Sequence, residues 1–469
     1  TVATDLTAAT GLTVLGREQV QAALRAAREQ SGRSADDQEA AIDVGRRLGA
    51  CAVVLGGVQR LGDRLRITAR GVDVRSGEVL HVVKLDGGVD ELFTLQDRVV
   101  RELAAGVARR KPDSPTPLTA DVERPPGGPP SLEAFESFSR GIEQFRAASS
   151  ASLKRAISLF ERAVELHPTY VLAWALLAGA RQTLGSNQAR RELIELGVEA
   201  GRRAVELDPR LPQGHQWLGA ALAGLGDEAQ AQEHLETAVR LDPASAVAHT
   251  FLARLNWLRL ARVRRGLDHL ERAADLDPGA GYVQLQLGFL YALTGDYPAA
   301  ERACRKAIEL QHSTPLDGEV IQIVGAYLRL GYTFYRRQRW TEALGEYRHE
   351  EEFLASVPDH ALRGRTKLEL HQKVGAALLR EGDTASAERR LLQATEGYAE
   401  RRAAGNDDVS TRYYTACAHA LLGDGDKAVE LFEECVRSLP SFTRWRAATD
   451  PDLETVRDRL DLGLEADGR

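Results

Sequence analysis

The chain has 469 residues, 43% of them apolar and 28% charged, which excludes wholesale disorder and collagen-like classes. That length predicts two to four domains, or one long repeat array beside a smaller domain. A net charge of −7 leaves no broad basic footprint and argues against nucleic acid as the partner. Four Cys with no CxxC pair exclude a disulfide scaffold and a zinc ribbon, and no apolar run approaches the roughly 18 residues of a membrane span. Met is absent, at position 1 as elsewhere, and Thr1 to Ala9 reads as the middle of a helix, so Thr1 is not expected to be the translated start.

Strand and helix signals alternate at first. Leu12 to Leu15 is a short apolar run. Glu18 to Glu29 and Gln38 to Leu48 carry apolar residues at helical spacing. Cys51-Ala-Val-Val-Leu55 reads as a buried strand that includes Cys51. Leu65 to Val74 alternates with period two, Val79 to Leu85 follows, and Gly62-Asp63 and Arg75-Ser-Gly77 sit where hairpin turns belong. Glu91 to Ala108 closes this region, residues 1–110, as an amphipathic helix. Arg64, Arg66 and Arg70 share one strand face, a solvated face by the ordinary reading and an anion contact by the sharper one. Residues 111–130 hold 7 of the 17 prolines, so they form an extended, semi-stiff linker.

Beyond the linker only helix is predicted, and it repeats. Ala156, Phe160, Ala163 and Pro168 return as Ala231, Leu235, Ala238 and Pro243, then as Ala300, Cys304 and Ala307. The spacing recurs as Ala387, Leu391 and Ala394, and as Ala428, Phe432, Cys435 and Pro440. Upstream halves read Leu218-Gly219, Leu287-Gly288, Leu330-Gly331 and Val374-Gly375. Pro209, Pro243 and Pro278 stand 34 and 35 residues apart. A 34-residue period with small residues where two helices cross is the tetratricopeptide pattern. About eight units are expected over residues 131–440. The second is longer around Ser186 to Arg191, and the sixth has a longer lead-in from Ser313 to Val324. Residues 441–469 are expected to cap the open end. The fold class expected is therefore a small α/β domain, incomplete at its first strand, followed by an all-α superhelical solenoid.

The repeats resemble the tetratricopeptide repeat family. Val14-Leu-Gly-Arg-Glu18, Gly45-Arg-Arg-Leu-Gly-Ala50, Val53-Val-Leu-Gly-Gly57, Val72-Asp-Val-Arg-Ser-Gly-Glu-Val79 and Leu92-Phe-Thr-Leu-Gln-Asp97 resemble the TolB/CsgG-type α/β domain. In bacterial signalling proteins that domain stands ahead of such repeats. The family's version opens with a strand that this chain lacks, and a kinase, a nucleotide cyclase or a DNA-binding domain can precede it. The first resemblance implies a scaffold for protein partners, with the first helix of each pair lining a concave groove. The groove positions read as Gln216 and Ala220; Thr250, Arg254 and Trp257; Tyr282, Leu285 and Phe289; Leu328, Tyr332 and Tyr335; Tyr413 and Cys417. Phe251 and Arg336 adjoin them. Aromatic and Arg side chains dominate binding hot spots, so Thr250, Phe251, Arg254, Trp257, Tyr282, Phe289, Tyr332, Tyr335, Arg336 and Tyr413 form the candidate partner-binding set. The Lys/Asn carboxylate clamp of chaperone-binding repeats is absent, which favours an apolar or mixed peptide as ligand.

Chemistry is not visible. GxxxxGK[ST], GxGxxG after a strand, HExxH and GxSxG are missing, so no catalytic residue, cofactor or metal is expected. His349-Glu-Glu-Glu-Phe353 reads as a solvated helix face, and Gly423-Asp-Gly-Asp-Lys427 as an inter-helix turn rather than a calcium loop. Cys304 and Cys435 are expected to be buried structural thiols, and Cys417 to lie near the groove. The expected function is a non-enzymatic scaffold for protein or peptide partners. Two alternatives stand beside it: the regulatory part of a larger signalling enzyme, and a self-assembling subunit that forms homo-oligomers through its sheet edge. The cysteine content fits either side of a membrane, with the cytoplasm favoured.

Overall fold

The computed structural model describes residue 20 and residues 38–108, 130–147, 149–313, 323–358, 360 and 362–463. The run Leu12–Leu15, most of the helix expected over Glu18–Glu29, the linker as far as Pro129 and the last six residues lie outside them. The chain divides into two compact units, Thr1–Phe135 and Glu136–Arg469.

The first unit has α1 (Gln38–Arg47), β1 (Ala52–Leu61), β2 (Arg64–Asp73), β3 (Val79–Gly88) and α2 (Leu92–Ala108). Its three strands form an antiparallel sheet in the order β1-β2-β3. Gly62 takes φ +59° in the two-residue turn between Leu61 and Arg64, with Gly first as a II′ turn requires. The β2–β3 turn is held by Asp73, whose carboxylate accepts from the N–H groups of Arg75 and Ser76 at 2.9 and 2.8 Å. One sheet face, with Leu65, Ala69, Val83 and Leu85, is buried by Leu95, Val99, Val100 and Leu103 of α2. On the other face Arg66 pairs with Asp86 at 2.7 Å, between exposed side chains. That neutralised pair favours the solvated-face reading. Cys51 is exposed just ahead of β1 and is not a core residue, because the strand begins at Ala52.

The second unit is a run of antiparallel helix pairs: α3 (Leu132–Ala147) with α4 (Ser150–Leu166), α5 (Val171–Gln188) with α6 (Arg191–Leu207), and α7 (Pro212–Leu225) with α8 (Glu228–Leu241). Next come α9 (Ala246–Arg254) with α10 (Val263–Leu276), α11 (Gly281–Thr294) with α12 (Tyr297–Ser313), and α13 (Ala326–Arg336) with α14 (Trp340–Ser356). The run ends with α15 (Arg363–Glu381) paired to α16 (Thr384–Ala403), and α17 (Val409–Leu421) paired to α18 (Gly425–Ser438). A short helix, α19 (Pro440–Ala447), and a 3₁₀ stretch, Pro451–Arg459, follow.

Within a pair, a Gly on the first helix faces a large residue of the second. A Cβ at Gly219 would stand 2.8 Å from Leu235, one at Gly375 2.6 Å from Leu391, and one at Gly331 closer still to the Tyr347 ring. The backbone therefore approaches a side chain that a methyl group would exclude. Gly288 does the same against Cys304, and Gly141 against Phe160. Turns within four of the pairs use the dipeptide Gly-Asp. Gly226 and Gly382 close their helices at φ +91° and +90°, and Asp227 and Asp383 then cap the next helix by accepting from Gln230 and Ser386. The same dipeptide recurs at 295–296 and 423–424, so the latter is the inter-helix turn expected. Between pairs, Asp208, Asp242 and Asp277 stand before proline and bond the N–H two residues on, at 2.9, 3.1 and 3.0 Å. This is the physical content of the 34-residue period.

The fourth pair departs from this plan. Leu255–Arg259 widens into a π turn, and Ala261 takes φ +52°, as Ala189 and Gln338 also take positive φ where four pairs have Gly.

Candidate functional site

The first helices of successive pairs share one face, and the chain's own segment Leu439–Leu460 lies along it from the fourth pair to the eighth. Phe442 meets Trp257 edge-on with ring centres 5.1 Å apart, and Trp445 stacks on Phe442. Trp257 in turn donates from Nε1 to Gln286 at 3.2 Å and packs on Phe289. Arg446 is buried with its guanidinium carbon 5.4 Å from the Phe289 ring centre, 4.2 Å from that of Tyr413 and 4.8 Å from that of Tyr414. Arg336 donates to the Thr449 carbonyl at 3.3 Å. The Tyr413 hydroxyl donates to Asp450 at 3.1 Å.

Asp452 is the most enclosed anchor. Its carboxylate, fully buried, accepts from the Tyr335 hydroxyl at 2.5 Å, from Gln372 Nε2 at 2.9 Å and from Lys373 Nζ at 2.6 Å. Lys373 is itself 1% exposed and lies near the rings of Tyr332, Tyr335 and Tyr414. Burial works against the charge on both members, but the close pairing outweighs it. Asp452 is held below the ordinary carboxylate range and Lys373 above the ordinary Lys value. Next to them Glu369, also buried, takes the Arg329 guanidinium in a two-pronged pair.

Among the described residues, Cys417, Asp450 and Asp452 are the three close donors whose geometry could hold a metal. The Lys373 ammonium already supplies the positive charge there, so the set reads as an ion-pair cluster. Burial, and then the neighbouring Asp450 and Asp452, push the Cys417 thiol well above its ordinary value; Cys304 and Cys435 are buried and pushed up to about 12. None is poised as a thiolate.

Of the residues picked from the sequence, Trp257, Phe289, Tyr332, Tyr335 and Tyr413 lie buried in this seam, and Arg336 holds its backbone. An open groove at these positions is corrected: the chain's own tail covers them. That tail does more than cap, because it packs Leu453 and Val456 on Phe432 and Ala428 of the last pair and also reaches back to the fourth. Thr250 turns its hydroxyl onto Ala246 O of its own helix, and Phe251 packs on Trp217. Arg254 is half-buried, and Tyr282 is 44% exposed. Gln216, Ala220, Leu328 and Cys417 are buried, and Leu285 is half-buried.

Glu350, read as part of a solvated face, is instead fully buried. It accepts from the backbone N–H of Gly325 at 2.7 Å and Tyr327 at 3.1 Å, and so caps α13 from the neighbouring helix. Sequence reading also missed Lys373, Gln372, Phe442, Arg446, Asp450 and Asp452. A signal existed for Lys373: it is one of only seven Lys in the chain, and it stands two residues before Gly375 in the place Arg329 holds before Gly331.

The fold and this face define a helical repeat solenoid. Two stretches, residues 212–245 and 282–313, match the model of the tetratricopeptide repeat, and the chain carries such repeats. Putative adenylate cyclase 3 of Rhizobium meliloti (strain 1021) is 29% identical over 239 residues, 49% of this chain. The chain spans 37% of that relative's length. Among solved structures, the APC/C hetero-tetramer Cut9–Hcn1 is similar at a TM-score of 0.47 and 12% identity, over 70% of this chain and 55% of that one. A thermophilic tetratricopeptide protein of Thermus thermophilus is similar at 0.34 and 22%, over 45% and 98%.

Proposed function

We propose that the chain is a non-catalytic scaffold whose repeats bind segments of partner proteins. The eight helix pairs from Leu132 to Ser438 are read as its eight repeat units. The observation that carries this is the inner face itself: it holds a length of polypeptide through aromatic rings, hydroxyls and an ammonium drawn from five consecutive pairs. That is the chemistry of peptide capture by a preformed surface. Tyr282, exposed on α11, is the open member of the candidate set. A photo-crosslinking amino acid at Tyr282 should trap a discrete partner polypeptide in cells. Equal trapping by the same probe at Leu392, exposed on the second helix of its pair, would refute selective capture by the inner face.

A second reading has its own observation. The partial match to a protein named putative adenylate cyclase 3 supports a regulatory role within a longer bacterial signalling protein. The three-stranded meander with a helix across it is compatible with the TolB/CsgG-type domain of such proteins. Immunodetection of the natural polypeptide at a mass well above the 51.2 kDa of this chain is expected, and a mass equal to it would refute this role.

A further inference from the structure

We propose that Leu439–Leu460 is a built-in, exchangeable occupant of the inner face. That face then takes partner segments of the same chemistry: an aromatic residue, an Arg four positions on, and acidic residues four and six positions after that. This rests on the scaffold reading above and says what the scaffold selects.

The first support is how the segment is held. Phe442, Arg446, Asp450 and Asp452 are its buried anchors on the inner face; Thr443, Ala447, Leu453 and Val456 are buried beside them, and Ser441 and Thr449 are exposed. Each anchor meets matching groups: Trp257 for the aromatic ring, the rings of Phe289, Tyr413 and Tyr414 for the guanidinium, the hydroxyl of the same Tyr413 for Asp450, and Lys373 with Gln372 and Tyr335 for Asp452. Polar and aromatic side chains each met by a matching group describe recognition of a segment, beyond the apolar packing of Leu439, Ala447 and Leu453.

The second support concerns those matching groups once the segment leaves. Lys373 would keep three aromatic rings and the Gln372 amide around it, with its carboxylate gone. A desolvated ammonium beside two further donors, Gln372 Nε2 and the Tyr335 hydroxyl, is a receptor for a carboxylate.

The third support is that the fit is imperfect. Among the described residues, the buried polar side-chain atoms lacking a hydrogen bond include Gln286 Nε2, Gln372 Oε1, Arg457 Nε, and Nε and one Nη of Arg446, all at this seam. Arg446 Nε lies 3.5 Å from Asp450 Oδ2, an ion pair without a hydrogen bond. Buried groups left unsatisfied weaken an occupant, and a partner that satisfies them gains against it.

The experiment uses the full chain. Asp450→Ala/Asp452→Ala should raise hydrogen exchange across residues 440–459 and let the chain bind a fluorescent peptide of residues 439–463, read by anisotropy, at least tenfold more tightly than the unaltered chain does. The peptide carrying Asp452→Asn should lose at least tenfold of that affinity. Exchange that rises without peptide binding overturns the proposal, and so does a segment that stays as protected as before. If the double variant loses its helical circular dichroism, Phe442→Ala, which opens the other end of the segment, is read by the same two criteria. Partner trapping at Tyr282 in a chain that fails the peptide test would remove this inference and leave the scaffold reading standing.

Discussion

Replacing Asp452 with Ala removes the carboxylate that, among the described residues, pairs with Lys373. Lys373 is 1% exposed, so its ammonium cannot reach water without moving the segment or the helix that carries it. Stripping one partner from a buried ion pair costs about 3–5 kcal/mol, because the remaining charge is left desolvated. The Tyr335 hydroxyl and Gln372 Nε2 lose their acceptor in the same step. A loss of that size is a large share of a typical domain stability of roughly 5–15 kcal/mol, and in a repeat array it falls first on the neighbouring units. Urea unfolding followed by tryptophan fluorescence is the assay. Trp257 and Trp445 sit in the seam and Trp340 meets Tyr335 edge-on, so fluorescence should fall at lower urea than far-ultraviolet circular dichroism. The compensated variant Lys373→Met/Asp452→Leu removes both charges and should return to within about 2 kcal/mol of the parent. The pH dependence has a definite sign. Asp452 is held below its unfolded value, so its contribution is complete above about pH 4 and is lost as pH falls through the folded value. Asp452→Ala should therefore cost more at pH 7 than at pH 3. A cost below about 1 kcal/mol at pH 7, or a double variant no more stable than Asp452→Ala alone, would refute the reasoning.

Two further predictions concern the repeats. Gly331→Ala sets a methyl group hard against the ring of Tyr347, which is fully buried and cannot swing aside. It should lose about 1–3 kcal/mol by overpacking. Gly345→Ala, with nothing within 4 Å of its new Cβ in the interior of α14, should gain about 0.5–1 kcal/mol, and the reverse order of the two in thermal unfolding would sink the close-approach argument. Burial raises the Glu350 carboxyl to about 7, against the pull of three backbone N–H groups. The folded chain thus keeps a proton there that the unfolded chain has released, and stability declines as pH rises from about 4.5 towards 7. Glu350→Gln should flatten that decline in a pH series of urea midpoints, and an unchanged slope would show that another group carries it.

What could be read from the sequence was whatever is written locally. The hairpin turn at Gly62-Asp63, the amphipathic helix ending at Ala108 and the Gly-to-large pairing within each repeat depend on residues close in the chain or at a fixed period. Trp257, Phe289, Tyr332, Tyr335 and Tyr413 were picked by position within the repeat for the same reason. Their state was not, because it is decided by contacts such as Tyr335 to Asp452, 117 residues apart, which no periodicity encodes. Glu350 was misread by the same limit: three consecutive Glu look solvated until a second helix presents its N-terminus to one of them. Lys373 was passed over because its helix also carries Arg363, Arg365, Lys367 and Glu369, among which one more charge reads as solvated, whereas a buried Lys needs a partner and so points to an acid elsewhere in the chain.

The polar anchors also explain why the tail sits where it does. Phe442 and Trp445 are both aromatic and three residues apart, so an apolar seam alone would accept either against Trp257, with the segment shifted by about a turn. A one-turn shift would carry Asp452 away from Lys373 and Asp450 away from Tyr413, stranding a buried ammonium. The ion pair therefore selects a single register at some expense in stability, which is the best-attested use of buried charge. The compensated variant separates the two roles. With Lys373→Met/Asp452→Leu the seam should stay stable, yet hydrogen exchange over residues 440–459 should become heterogeneous as registers mix. Uniform protection there would mean that shape alone fixes the tail, and that the charges contribute only to its release.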